Sequence, residues 1–326
     1  MCLSRYAGTI GGPFHPPGTL QMPMRRLLLA SALLLAVTAQ AAAPAKPYRS
    51  PKQIIDASSP ADWRPIDPAR TLYMDLPAGR VVIELAPDFA PEHVAQIRTL
   101  AHEHFWDGTS VYRVQDNFVA QFGDADADEP GKARPLGSAK RHLPAEFRRS
   151  DKGLHFDALP DVDGWTRQAG FVDGFPAARD PASGQVWLTH CYGMVGAGRN
   201  NADDNSLATE LYAVIGQAPR QIDHNITVVG RVVQGIQYLS SLPRGPEPMG
   251  FYEDPAQRTP IKAITLASDL PPDQRLKLEA LRTDTQTFRD AVEARRNRVD
   301  AFYKQPAGHV DLCSVPLPVR SVPAEK

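Results

Sequence analysis

Short runs of apolar and β-branched positions, broken by turn residues, dominate the middle of the chain. Thr71 to Leu76 and Arg80 to Ala86 predict two strands, and Pro77-Ala78-Gly79 between them is a hairpin signal. From Ala90 to His104 the pattern becomes helical: Val94, Ile97, Leu100 and Ala101 share a face, Pro91 suits the first turn, and Glu92 favours the positive end of the dipole. Val111 to Asp124 predicts two more strands around a polar turn. Later, Leu211 to Ile215, Thr227 to Val233 and Ile261 to Ala267 are strand-like, and Gln234 to Leu242 predicts a short helix. Between them, residues 125–192 show Pro, Asp, Gly and scattered aromatics without a period, which predicts a long loop insertion. Many strands with few helices point to an all-β barrel or sandwich.

The two ends follow different patterns. Residues 42–70 are rich in Ala, Pro, Ser and Asp and predict a linker or a surface-wrapping arm. Residues 271–326 predict a C-terminal helix over Pro272 to Tyr303, with Leu278, Leu281, Phe288, Val292, Val299 and Phe302 near one stripe that Thr285 and Arg295 interrupt. An extended surface tail, Val310 to Val319, follows. At the other end, Arg25-Arg26, the apolar run Leu27 to Val37 and the small-x-small site Ala39-Gln40-Ala41 predict a signal peptide over 24–41. The run is about half of what a membrane span needs. Residues 1–23 then read as an upstream extension, and the mature protein is expected to be exported to the periplasm.

Composition narrows the function classes. A net charge of -1 argues for no nucleic-acid partner. After cleavage only Cys191 and Cys313 remain of the cysteines, and in an oxidising compartment they either pair or stay as two buried thiols. Asp124-x-Asp126-x-Asp128 resembles the start of a calcium loop, but Glu129 stands where glycine is needed and Pro135 closes it, so no metal is expected there. There is no HExxH, paired CxxC, GxSxG or phosphate-binding glycine loop, so no metal and no cofactor are expected.

What remains is Val111 to Asp124. A strand pair that needed only a core would not place Arg113 and Gln121 among Val111, Val114, Phe118 and Val119. The spacing R-x4-F-x2-Q puts a cation, a flat apolar wall and an amide within reach of one small ligand. Taken singly, Arg113 could be a barrel arginine paired to Glu84 or Glu146, Phe118 ordinary core, and Gln121 a ladder-edge amide.

Together with Arg80 to Pro91, Phe105-Trp106-Asp107-Gly108-Thr109, Leu143-Pro144-Ala145-Glu146-Phe147 and Val228 to Gly235, this segment resembles the cyclophilin family of peptidyl-prolyl cis-trans isomerases. The resemblance runs from about Thr71 to Ala267, within a domain bounded at 71–270. It implies a closed eight-stranded antiparallel barrel with two capping helices, and proline-containing polypeptides as substrates. It places the family's catalytic arginine on Arg113, its proline-pocket phenylalanine on Phe118 and its active-site glutamine on Gln121. Substrate-binding positions fall on Val119, Leu211, Ala213 and Ile222. The second half departs from the family: Leu211 stands for a second glutamine, Ala213 for an aromatic wall, and Gln221 and Ile226 for a tryptophan and a histidine. Two functions stay open on this basis: an isomerase that helps exported proteins fold, with weakened turnover, or a non-catalytic peptide- or protein-binding module on the same fold.

Overall fold

A computed structural model describes residues 47–322, apart from 128, 130 and 202–205. The expected signal peptide over 24–41 and the expected upstream extension over 1–23 lie outside these residues. The chain enters through α1 (Pro51–Asp56) and β1 (Trp63–Pro65), then the hairpin β2 (Thr71–Leu76) and β3 (Gly79–Leu85). Next come α2 (Pro91–His102), β4 (Ser110–Val114) and β5 (Val119–Gly123). The region after β5 contains β6 (Arg149–Ser150), β7 (Asp157–Ala158), β8 (Gln168–Val172), β9 (Phe175–Asp180) and β10 (Gln185–Leu188). Then follow β11 (Met194–Ala197), β12 (Glu210–Val214), β13 (Val228–Gln234), the short α3 (Gln237–Ser240), β14 (Thr259–Pro260) and β15 (Ala263–Leu266). The chain closes with β16 (Leu278–Leu281), α4 (Gln286–Arg296) and β17 (Val319–Ser321).

The main sheet is antiparallel and curled, and it has nine strands among the described residues, in the order β14-β4-β5-β12-β11-β13-β3-β2-β15. Its concave side is packed by Leu72, Val81, Ile83, Phe122, Leu211 and their neighbours, with Val94, Ile97 and Leu100 of α2 laid over one opening. The helix starts at Ala90, which has no capping side chain. The need is met from a distance: the amides of Glu92 and His93 donate to the two carboxylate oxygens of Glu146, each at 3.0 Å. An anion at the positive end of the helix dipole is the favourable arrangement.

Three expectations are corrected. Residues 125–192 are not one loop, because they carry a five-stranded sheet in the order β6-β10-β9-β8-β7. Its strands are two to six residues long, too short for a period to stand out in the sequence. The segment 272–303 is not one helix either. Leu278 and Leu281 belong to β16, and Thr285, which interrupts the apolar stripe, is the N-cap of α4, accepting the Phe288 amide at 3.2 Å. For 42–70 the linker alternative fails, because the described residues 47–70 supply β1, which with β17 flanks β16 in a three-stranded sheet. Tertiary pairing overrode the weak local signals in each case.

These additions share a second core, in which Phe171, Phe175 and Leu188 of the inserted sheet meet Phe288 and Val292 of α4 and Leu312 of the tail. Phe171 and Phe288 pack edge to face at 5.1 Å. The tail is therefore packed and not simply extended, and Cys191 and Cys313 form a disulfide across 122 residues of chain. Buried Glu84 joins the two layers, accepting from Arg64 of the arm at 2.6 Å and from Arg231 of β13 at 3.1 Å. Burial pushes its carboxyl up, and the two arginines outweigh that and hold it below its ordinary value.

Candidate active site

The candidate residues lie on the face of β4, β5 and β12 turned away from the main core. Arg113 and Gln121 are register partners, and Gln121 is in turn the partner of Tyr212 on β12. Directly opposed residues point to the same face of a sheet, so these three side chains form one row. The ladder slips between Val111 and Arg113, and the extra residue there is Tyr112. Such a bulge re-aims the side chains beside it, and it lets Tyr112 and Arg113 both join the site.

Arg113 is held on three sides by neutral acceptors. Its Nη1 donates to Gln121 Oε1 at 2.9 Å, its Nε to the Met249 carbonyl at 2.7 Å, and its Nη2 to Gln115 Oε1. The guanidinium lies 5.8 Å from the centre of the Phe118 ring and 4.9 Å from that of Phe251. Glu84 and Glu146, its candidate ion-pair partners, are instead spent on Arg64, Arg231 and His93. Among the described residues, no carboxylate bonds to Arg113. Burial pulls its pKa below the usual arginine value, yet a guanidinium remains charged at any physiological pH. The site thus presents a fixed, partly desolvated cation whose charge is unpaired.

Gln121 continues the chain of bonds. Its Nε2 donates to the Tyr112 hydroxyl at 2.7 Å, and that hydroxyl donates to Glu210 Oε1. Burial, then the Glu210 charge, push the Tyr112 phenol well above its ordinary value, so it stays a neutral donor.

Beside the cation half-buried Phe118 and Ile226 form a small apolar patch, backed by the buried cluster of Val119, Tyr212 and Val214. The structure thus brings together Arg113, Phe118, Val119 and Gln121. Leu211 and Ala213 are corrected, since they oppose Phe122 and Ala120 and are fully buried in the core on the opposite face. A shift of one residue along a strand exchanges its faces. Glu210, Tyr212 and Val214 alternate with them and point to the face that carries Gln121. Ile222 is half-buried at the end of the turn Arg220–Ile222 and lies outside the apolar patch.

Sequence reading also missed what lies beneath the patch. The Tyr212 ring crosses Gly196, where an added Cβ would meet its hydroxyl at 2.2 Å. That hydroxyl bonds His190 Nε2 at 2.8 Å, and His190 Nδ1 faces Asp223 Oδ1 at 2.9 Å. Arg220 Nε donates to Asp223 Oδ2 at 2.6 Å, and the Arg220 guanidinium reaches Asp163 of the insertion at 3.2 Å. Burial and the Asp223 charge raise the Tyr212 phenol far above its normal range. Burial pushes the Asp223 carboxyl up as well, but the His190 bond and Arg220 outweigh it and hold it low. Strand alternation, fixed by pairing Gln121 with Tyr212, was the available signal for Tyr212. His190 and Asp223 meet from 33 residues apart and have no local signal.

Residues 71–266 match the family described as cyclophilin type peptidyl-prolyl cis-trans isomerase/CLD. A probable peptidyl-prolyl cis-trans isomerase from Brucella suis biovar 1 (strain 1330) is 29% identical over 198 residues, 61% of this chain and 82% of the relative. A protein of the same description from Brucella abortus (strain 2308) matches over the same extent at 29% identity. Among solved structures, cyclophilin AquaCyp293 from Hirschia baltica is similar with a TM-score of 0.63 and 26% identity, covering 85% of this chain and 99% of that one. That share exceeds residues 71–266, so the likeness extends into the terminal segments.

Proposed function

The chain belongs to the cyclophilin-type peptidyl-prolyl cis-trans isomerase family, and from that premise we propose that the Arg113 face is where it turns X-Pro bonds. Rotation about such a bond is opposed by amide resonance, with a barrier of about 18–20 kcal/mol for a peptide bond. Uncatalysed exchange takes roughly tens to hundreds of seconds. As the bond twists, resonance is lost and the prolyl nitrogen becomes pyramidal and able to accept a hydrogen bond.

The single observation that carries this reading is the unpaired charge of Arg113, fixed by Gln121, Gln115 and Met249. The proline ring rests on Phe118 and Ile226, which Val119 and Tyr212 back from beneath, and is held there while the preceding carbonyl swings. Arg113 then donates to the nitrogen in the twisted state and only weakly in the planar one. Each 1.36 kcal/mol gained in that state alone speeds the step about tenfold. No proton is transferred, and no nucleophile takes part.

The same reading treats the curled sheet as a barrel, supported by Thr259–Pro260 pairing with β4 and Ala263–Leu266 with β2, so that one segment carries both edges. It also places the protein in the periplasm, acting on exported chains. The signal-like segment 24–41 and the Cys191–Cys313 disulfide support an oxidising compartment. Among the described residues, no helix is long and apolar enough to cross a membrane.

A peptide isomerisation assay on the mature protein with Arg113→Ala tests the assignment. Turnover that falls by about 10²–10³, the usual loss of one electrostatic donor, is expected. Turnover that is absent in the unaltered protein, or untouched by the substitution, overturns it.

A further inference from the structure

Trp165 and Tyr192 are large aromatic side chains left 58% and 48% exposed, in a molecule that buries most of its apolar residues. They flank one open cavity of about 430 Å³, whose floor and rim include Gly216, Gln217, Arg220 and Ser314. We propose that this cavity is a second subsite for the same substrate chain, taking an aromatic side chain that lies apart in sequence from the bound proline. The inference rests on the isomerase reading of the Arg113 face.

The backbone that lines the cavity is bonded to the turn that carries Phe118. The Gln217 amide donates to Asn117 Oδ1 at 2.8 Å, and the Ile215 amide donates to the carbonyl of Phe118, the pocket wall, at 2.9 Å. Gly216 lies against the Asn117 backbone so closely that a Cβ would meet it at 2.1 Å. Gly216 and Gln217 thus touch the Phe118 turn on one side and line the cavity with the two aromatics on the other.

The subsite is built and not incidental. Trp165 is placed by its own amide, which donates to Asp163 Oδ1 at 2.9 Å. Asp163 is anchored to Arg220, and both side chains are 3% exposed. Arg220 grips Asp223, which reaches the Tyr212 hydroxyl through His190, so one buried chain of polar groups runs from the Trp165 loop to the wall of the proline pocket. Opposite, Tyr192 follows Cys191 directly, and the disulfide to Cys313 fixes the tail that forms the far rim. Aromatic walls beside an amide and a hydroxyl suit a ring with a polar edge, such as tyrosine, and a cavity of this volume falls within the usual range for ligand sites of roughly 300–1,000 Å³.

The test uses peptides with one proline and one tyrosine, the tyrosine moved one position at a time to either side, with alanine at that position as the control. Affinity is read by calorimetry on the mature protein, and isomerisation is measured in parallel. At the matching spacing, the tyrosine peptide is expected to bind about tenfold tighter than its alanine control, the size of one good aromatic anchor. That ratio should fall towards one in Trp165→Ala and, independently, in Tyr192→Ala. Equal affinities at every spacing, or a preference that survives both substitutions, overturn the subsite. Absent isomerisation with the tyrosine preference intact would sink the catalytic reading and leave the subsite standing.

Discussion

Gln121 and Arg113 face each other across neighbouring strands, and the amide oxygen of Gln121 accepts the arginine Nη1 at 2.9 Å. An amide holds the guanidinium without neutralising it, which a carboxylate at the same place would not do. Gln121→Glu keeps the shape and pairs the charge. It is expected to lower kcat/KM by about 10–100-fold, since a donor already engaged by an anion gains little at the twisted imide. An isomerisation assay in which Gln121→Glu matches the unaltered protein would show that an unpaired charge is not what Arg113 contributes.

The face assignment on β12 separates stability from turnover. Leu211 is fully buried in the main core, so Leu211→Ala should cost about 2–5 kcal/mol in urea unfolding. The folded fraction should still turn over small peptides with little change. Tyr212→Ala removes the support behind Phe118 and Ile226 and is expected to raise KM by about tenfold, the scale of one lost apolar contact surface. Tyr212→Phe keeps the wall but leaves the buried His190 without its hydroxyl partner, for a loss of about 1–3 kcal/mol of stability. Reversed outcomes for Leu211 and Tyr212 would put Leu211 on the substrate side and Tyr212 in a purely structural role.

Legibility in the sequence followed how local the determinants are. The hairpin Thr71 to Leu85 and the helix over Pro91–His102 were readable because their period and turn residues lie within one element. That Arg113, Phe118 and Gln121 sit close together was readable because one hairpin carries them all, two on its strands and Phe118 in its turn. The face that Leu211 and Ala213 occupy was not readable, because a strand's period of two leaves its faces interchangeable until pairing fixes the register. The inserted sheet, β1 with β16, and the bonds joining Asp163, Arg220, Asp223 and His190 depend on contacts between distant segments. A single sequence carries no local trace of such contacts.

The disulfide should matter to folding more than to chemistry. It ties Cys191 to Cys313 across 122 residues, a long loop whose closure restricts the unfolded chain. Reduction, or Cys313→Ser, is expected to lower stability by about 2–5 kcal/mol. Guanidinium unfolding with and without reductant measures this. Superimposable transitions would mean that the second core holds the tail without the bond.

Acid should weaken the protein in two stages, and the sign of each follows from its cause. Burial holds the His224 imidazole below its ordinary value, with its ring 4.0 Å from Trp187. The unfolded chain therefore takes up this proton first, and stability begins to fall as pH drops through about 6.5. Asp223 is held low despite its burial, chiefly by His190 and Arg220. Its contribution is complete above the unfolded carboxyl value of about 3.9 and is lost as pH falls through the lower folded value. Urea midpoints measured from pH 8 to pH 3 should thus decline gently near 6.5 and more steeply below about 4. His224→Gln should remove the upper decline, and Asp223→Asn should lower stability at neutral pH while flattening the lower one. A lower limb as steep in Asp223→Asn as in the unaltered protein would place the acid sensitivity on other carboxylates, with Glu84 and Glu146 next in line because both are also held low.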